Sequence, residues 1–227
     1  MRRLLFILLT LLPCIAHAQE FDPDVWVDEA LLMGYNRSYG LYGADDTVIG
    51  LDEYNYQMLA GIRIHSHHKA AHLGGTWFFH SGCHRFGVEA FCLAQWGSNY
   101  SVNDFCAGIL GRWSWLGRVE VRAGTFFRAF VPARGTGSLW EPFNGAYSVS
   151  FWAREANKKF NIGASLSNLD YFTAERFFCP MVSLQVNWRV SDMCTIYLKL
   201  REHNSGIFDL TNNTFDHQIR IGTLVKW

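Results

Sequence analysis

The feature that most limits the fold of this chain is an alternation of apolar and polar residues with a period of two. In the segment 182–190, apolar side chains alternate with Ser183, Gln185, Asn187 and Arg189. Successive side chains of a β-strand point to opposite faces, so this period predicts strands with one apolar and one polar face. Ten such runs occur, at 25–37, 54–65, 86–97, 105–115, 118–125, 146–154, 160–167, 182–190, 194–203 and 218–227. The sequence therefore predicts an all-β protein.

Two architectures produce this alternation: a soluble β domain with its apolar faces inside, and a membrane barrel with its apolar faces outside. The chain is 16% aromatic, and rings such as Tyr54, Trp96, Trp113 and Trp227 lie at the ends of runs. Membrane barrels place such rings in girdles at the two interfaces. Short connections also alternate with long ones, of which the longest are 129–145, 168–179 and 204–214. These features favour an up-and-down antiparallel transmembrane β-barrel.

The beginning of the chain has the three parts of a secretory signal peptide. A basic start at residues 2–3 precedes an apolar stretch at 4–12, and a small-x-small cleavage site ends at Ala18. We therefore divide the chain into a signal peptide, residues 1–18, and a barrel, residues 19–227. Export would place the cysteines in an oxidising compartment, where one or two disulfides of undetermined pairing can form.

The last eight residues follow the pattern polar-x-Gly-x-x-hydrophobic-x-aromatic, given by Arg220, Gly222, Val225 and Trp227. This motif resembles the C-terminal assembly signal of bacterial outer-membrane β-barrel proteins. The resemblance implies a location in the bacterial outer membrane, with outer-membrane lipid and the barrel assembly machinery as partners. The 20 basic and 20 acidic residues balance, so no nucleic-acid partner is expected. The oligomeric state is left open.

The number of strands depends on how residues 66–83 are interpreted. The ten alternating runs predict ten strands, with 66–83 as a long periplasmic connection. This connection contains the stretch 74–79, which ends in three aromatic residues and could supply another strand pair, making twelve strands. Eight strands would require about half of the external loops to be absent. We expect ten strands and leave eight and twelve as alternatives.

The residues opposite the apolar face would line the lumen of such a barrel. The lumen-lining charged residues that we predict are Arg63, Glu89, Arg112, Glu120, Arg122, Arg128, Arg189, Lys199, Arg201 and Arg220. When further rim and lumen positions are included, eleven basic residues face only four acidic ones. Rings of Arg and Lys make pores anion-selective, whereas ion pairs across the lumen and bulky inward side chains would seal the barrel. Both interpretations remain open.

A histidine-rich segment between residues 65 and 84 raises the question of a metal site. His65, His67, His68 and His72 are dense enough for imidazole coordination of zinc, copper or nickel. However, no Asp or Glu occurs between 54 and 88 to complete or orient such a site. We therefore expect no metal and no other cofactor.

A short pattern near the end of the chain resembles a catalytic motif. His203 and Ser205 form a His-x-Ser, which is similar to that of the lipid A deacylase barrels of the outer membrane. The resemblance implies a serine nucleophile with histidine as its base. Two positions depart from that family, because Gly206 replaces its Asn and His217 stands where its orienting Glu would fall. The side chains of His203 and Ser205 are also expected on the inward face, away from lipid acyl chains.

Three functions are consistent with these observations. The first is a small non-enzymatic barrel, either structural or a narrow anion-favouring pore. The second is a lipid A-modifying hydrolase that uses His203 and Ser205, and we lean against an enzyme. The third is an adhesin or partner-binding barrel acting through its external loops, chiefly 129–145, because loops on rigid scaffolds carry recognition.

Overall fold

Twelve long antiparallel strands close into one barrel in the computed structural model, which describes residues 24–97, 102–132, 137–153, 159–206 and 214–227. The predicted signal peptide lies outside these residues. The barrel strands are β1 (Asp24–Asn36), β2 (Gly40–Asp52), β3 (Tyr56–His65), β4 (Lys69–Ser81), β5 (His84–Trp96), β6 (Val102–Trp115), β7 (Val119–Pro132), β8 (Leu139–Trp152), β9 (Phe160–Ser167), β12 (Met181–Arg189), β13 (Cys194–Asn204) and β14 (Thr214–Lys226). Two short strands, β10 (Leu169–Asp170) and β11 (Thr173–Ala174), pair with each other and not with the barrel.

Each barrel strand pairs with its neighbours in sequence, and β1 pairs with β14 to close the ring. The all-β antiparallel barrel is thus confirmed, and the alternative of twelve strands is correct where ten were expected. The two strands that alternation missed are β2 and β4. Residues 66–83 are therefore not a long connection, because most of them form β4.

The two ends of the barrel differ in their connections. Both ends of the described chain, Asp24 and Trp227, lie at one end, which we call the terminal rim, together with the turns at 53–55, 82–83, 116–118 and 190–193. The opposite end, the loop rim, includes the connections 37–39, 66–68 and 168–180. The predicted loop 129–145 is mainly the ends of β7 and β8, whose strands extend further than their alternation indicates.

The outer face of the barrel is apolar and the inner face is mixed. On β1, Leu31 and Met33 point outward and are 69% and 71% exposed, whereas Leu32 between them is 2% exposed. Alternation therefore marks the two faces of the wall, as the sequence predicted. Among the described residues, no helix is long and apolar enough to cross a membrane.

The connection 168–180 folds into the lumen, and we call its residues 169–174 the inner hairpin. Asn168 anchors it, because its side chain accepts a hydrogen bond from the Tyr147 amide at 2.8 Å and donates to the Gly145 carbonyl at 2.8 Å. The Gln95 side chain also donates to the carbonyl oxygen of Phe172 at 2.5 Å. These bonds fix the inner hairpin against the inner wall.

The inner hairpin completes an apolar core that fills one side of the lumen. Phe172 is fully buried, and apolar residues from β1 to β8 pack around the hairpin. The members of this core on those strands are Trp26, Val48, Leu59, Ala70, Phe91, Leu93, Cys106, Leu110, Phe126 and Ala146. The guanidinium of Arg63 also lies 4.8 Å from the centre of the Phe172 ring. The lumen is therefore closed on this side by packing like that of a soluble protein.

Candidate functional site

A buried network of polar side chains joins β13, β14 and the first three strands. The Tyr197 hydroxyl donates a hydrogen bond to Asp28 at 2.7 Å, and Arg220 pairs with Asp28 at 3.1 Å and with Asp46 at 3.4 Å. Asp46 also accepts two hydrogen bonds from Arg63, at 2.6 and 2.8 Å. Because each charge has a partner of opposite sign, the attraction within the network offsets the cost of removing these charges from water.

Next to this network, the lumen contains a cavity of about 420 Å³, which we call the terminal cavity. It extends from Trp152, Arg189 and Lys226 near the terminal rim to Asp170 and Tyr171 of the inner hairpin. Its volume is within the range typical of small-molecule sites. Six basic residues line it against two acidic ones, Asp28 and Asp170; the basic residues are Arg122, Arg189, Lys199, Arg201, Arg220 and Lys226.

Two neighbouring cations of β13 lie where the inner hairpin meets the terminal cavity. Arg201 pairs with Asp170 at 2.5 Å, and the side chain of Arg201 is buried while that of Asp170 is mostly buried. Lys199, two residues earlier on the same face, forms no ion pair with any carboxylate of the described residues. This part of the cavity thus has two cations next to a single hairpin carboxylate.

The wall formed by β8, β9 and β12 supplies neutral polar groups to the same cavity. The hydroxyls of Ser165 and Ser183 are 2.6 Å apart. The other neutral polar residues of this wall are Ser148, Ser150, Ser167, Gln185 and Asn187. Hydroxyl and amide groups can both donate and accept hydrogen bonds, so the wall suits a ligand with several hydroxyl groups.

A second cavity, of about 220 Å³, lies between the inner hairpin and the loop rim. Its lining includes His65, His203, Asp216 and Glu175, and the Tyr42 hydroxyl donates to Asp216 at 2.7 Å. Glu175 belongs to the connection that carries the hairpin, and burial raises the pKa of its carboxyl to about 7. The inner hairpin therefore separates two cavities of different chemistry.

The predicted lumen-lining residues of β5, β6 and β7 form ion pairs with one another. Arg112 pairs with Glu120 at 2.8 Å, and Arg122 pairs with Glu89 at 3.2 Å. Arg128 pairs with Asp104 at 2.6 Å. These pairs compensate most of the positive charge on this side of the lumen.

The predicted count of eleven basic against four acidic inward residues overstates the excess of positive charge, because further carboxylates enter the lumen. They include Asp28, Asp46, Asp170 and Glu175. Asp46 was missed together with β2, and Asp170 and Glu175 belong to a connection whose inward course leaves no periodic pattern. Excess positive charge is therefore confined to the terminal cavity, where Arg189 also pairs with Asp192 at 2.9 Å.

The histidine-rich segment divides between the loop rim and the lumen. The rings of His65 and His68 stack with their centres 4.1 Å apart, and His67 is 5.6 Å from His65. His72 points into the lumen, between Phe91 and Tyr171. Within the described residues, no three His, Cys, Asp or Glu side chains are grouped so as to hold a metal ion. The five cysteines among these residues form no disulfide.

The two residues of the His-x-Ser pattern face different environments. His203 is 3% exposed and lines the second cavity, and its Nε2 has no hydrogen-bond partner among the described residues. The strand register shifts directly after His203, and Ser205 lies exposed beyond this irregularity. Both residues were expected on the inward face, where the structure places His203.

The four residues of the C-terminal motif have distinct places. Arg220 belongs to the buried network, and Gly222 faces Tyr197 across the β13–β14 pair. Val225 pairs in register with Val27 and Cys194, one on each side of β14. The Trp227 amide donates to the carbonyl oxygen of Val25 at 2.8 Å, and its ring is exposed at the terminal rim.

Known structures share this architecture. The KdgM porin, solved in complex with disordered oligogalacturonate, superimposes with a TM-score of 0.56 at 11% identity over 89% of this chain and 99% of its own. The COG4313 outer membrane channel from Pseudomonas putida F1 superimposes with a TM-score of 0.55 at 6% identity, over 92% of this chain and 97% of its own. Outer membrane phospholipase A from Escherichia coli superimposes with a TM-score of 0.50 at 6% identity, over 92% of this chain and 93% of its own.

The comparisons of sequence give no closer relation, since no protein-family model and no curated protein matches the chain. The structural likeness nevertheless defines the fold, which is that of the bacterial outer-membrane β-barrels. With this fold, the described residues form a small twelve-stranded barrel with an inward-folded connection.

Proposed function

We propose that the protein is a small outer-membrane barrel that admits small anionic solutes into its terminal cavity, and that the inner hairpin narrows their passage. The terminal rim would face the periplasm, because outer-membrane barrels have their short turns on that side. Entry from the periplasm or exit towards it would then pass Arg189 and Lys226. The observation that carries the proposal is the group of six cations around a cavity with two carboxylates.

The outer surface supports the membrane location. Large apolar side chains such as Leu31, Leu73, Ile109 and Ile221 are more than half exposed. Contiguous apolar surface of this kind is costly in water and suits contact with lipid. The KdgM porin and the COG4313 outer membrane channel have the same fold, and a porin and a channel provide passage for solutes, which is consistent with the proposal.

The charge distribution supports a preference for anions. Arg201 is paired with Asp170 and Arg220 with Asp28 and Asp46, whereas Lys199 has no ion pair within the described residues. An ammonium group in a confined, partly dehydrated space attracts an anion more strongly than it would in bulk water. Lys199 is therefore the first residue to substitute.

A planar-bilayer recording across a salt gradient tests this proposal. We expect the refolded wild-type protein to conduct weakly with a reversal potential that indicates anion preference, and Lys199→Gln to reduce that preference. Lys69→Gln is the matched control, because it removes one positive charge from the outward face of β4. Cation preference in the wild type, or an equal effect of the two substitutions, would contradict the proposed role of the cavity. Complete silence of correctly folded protein would indicate a closed barrel.

A further inference from the structure

The hairpin carboxylate occupies a position in which an external anion could bind. Asp170 Oδ2 lies 2.5 Å from an Arg201 nitrogen, but it has no directed hydrogen bond within the described residues. Lys199 lies on the same face of β13 without an ion pair of its own in that part of the chain. Two cations, Arg201 and Lys199, thus lie near the single carboxylate of Asp170. Charge attraction, rather than a well-directed hydrogen bond, holds this carboxylate in place.

We propose that the terminal cavity binds a carboxylate that also carries several hydroxyl groups, and that Asp170 occupies the carboxylate position when the cavity is empty. This inference rests on the proposed function and names the chemical class of its solute. Arg201 and Lys199 bind the carboxylate of the ligand. The hydroxyl and amide wall of β8, β9 and β12 binds its hydroxyl groups.

The dimensions and composition of the cavity fit this class of ligand. A volume of about 420 Å³ accommodates a single sugar acid with its hydration water. Ser165 and Ser183 already share a hydrogen bond, so their hydroxyls are held in place on the wall. A neutral sugar could bind the same wall but would form no ion pair with Arg201 or Lys199. A simple fatty acid could pair with these cations but would form no hydrogen bonds with the wall.

Competition with Asp170 gives the site a link to the inner hairpin. An arriving carboxylate replaces one ion pair by another, so exchange at Arg201 does not leave the guanidinium without a counter-charge. The displaced Asp170 loses a contact that holds β10 against the barrel wall. Binding of the ligand therefore weakens the attachment of the hairpin at one of its fixed points.

Isothermal titration calorimetry of the detergent-solubilised protein with glucuronate tests the site directly. We expect glucuronate to bind, and glucose and butyrate each to bind at least about ten-fold more weakly, since the loss of a charge-assisted pair or of several hydrogen bonds is of this order. Glucose binding as tightly as glucuronate would overturn the proposal. Lys199→Gln should abolish or strongly weaken glucuronate binding.

The competition is tested with Asp170→Asn, which should bind glucuronate more tightly than the wild type because the internal carboxylate is gone. Asp170→Ser provides a second variant with a smaller polar side chain. Glu202→Gln is the control, since it removes an exposed carboxylate from the opposite face of β13. Unchanged affinity in both Asp170 variants would overturn the competition.

The calorimetric test separates this inference from the proposed function. A barrel that binds glucuronate but conducts nothing would contradict passage and retain the site. A barrel that conducts anions without binding glucuronate would retain the proposed function and overturn the site. Folding of each variant is checked by the change in gel mobility on heating.

Discussion

The ring of Tyr197 on β13 lies directly over Gly222 on β14, and its hydroxyl donates to Asp28 on β1 at 2.7 Å. A Cβ atom at residue 222 would collide with this ring. Because β14 lies between β13 and β1, the glycine makes room for a side chain that crosses one strand to bond with the next. The glycine of the C-terminal motif thus has a structural role in closing the barrel.

Gly222→Ala should therefore destabilise the barrel. The ring of Tyr197 must shift, which strains the packing and weakens a buried hydrogen bond, at a cost of about 1–3 kcal/mol. The measurement is urea unfolding of protein refolded in detergent without the assembly machinery, so that recognition by the machinery does not contribute. Gly43→Ala is the control, because the nearest atom to its added Cβ is 3.8 Å away. Equal urea midpoints for Gly222→Ala and Gly43→Ala would show that contact with the Tyr197 ring does not restrict residue 222.

Phe172→Ala should loosen the inner hairpin. Phe172 is fully buried in the lumen core, and truncation of a buried phenylalanine costs about 3–5 kcal/mol. Since the barrel wall has its own hydrogen bonds, most of this cost should affect docking of the hairpin. We expect larger single-channel conductance in planar bilayers. Phe178→Ala, on the same connection but 60% exposed, should behave like the wild type, and a conductance increase in both variants would indicate a non-specific effect.

The position of Glu175 predicts that the hairpin connection responds to pH. Burial raises the pKa of its carboxyl from 4.5 to about 7, with Asp104 and Asp216 acting in the same direction and Arg128 and Arg176 opposing them. A raised pKa means that the folded state favours the protonated form. The protonated Glu175 therefore contributes to the stability of the folded state below about pH 4.5, and this contribution is lost as the pH rises through about 7.

Conductance recordings at pH 5 and pH 8 measure this dependence. We expect more frequent opening at pH 8 in the wild type. Glu175→Gln keeps the size of the side chain but cannot ionise, so its opening frequency should vary less between the two values. A variant with the full wild-type pH response would assign the response to another group.

Ser205→Ala should leave the lipid A of the host unchanged. His203 faces the lumen with its Nε2 unpartnered among the described residues, whereas Ser205 lies exposed beyond the register shift. Because the two residues lie in different environments, we expect them not to act together as the nucleophile and base that acyl transfer requires. Mass spectrometry of lipid A from cells expressing either protein is the measurement. Loss of an acyl chain with the wild type, and its retention with Ser205→Ala, would instead establish a hydrolase.

The sequence predicts most of the barrel, because alternation is strongest where one face contacts lipid and the other is polar. It missed β4 because that strand has Phe78 and Ala70 on its inner face, next to Trp77 and Phe79 on its outer face. Apolar residues on both faces remove the period of two. On β2, the consecutive Asp45 and Asp46 interrupt the pattern in the middle of the strand.

The site is less accessible to prediction than the fold. The alternation of the two strand faces identifies Lys199 and Arg201 as inward-facing. However, the partner of Arg201 is Asp170, which belongs to a connection without a periodic pattern. Asp28 and Glu29 are adjacent on β1, and the structure places only Asp28 in the buried network. The pairing of charges in the lumen therefore depends on contacts between distant parts of the chain, which the local pattern does not reveal.

The core around Phe172 is built on β1 to β8, whereas the hydroxyl and amide wall lies on β8, β9 and β12. Substitutions on the first part of the ring disturb close packing, while those on the second change the lining of an open space. Under the proposed function, stability and selectivity would thus be carried by different arcs of the same barrel. Ser148, Ser150 and Gln185 can accordingly be varied to change the preferred solute, with little expected effect on whether the protein folds.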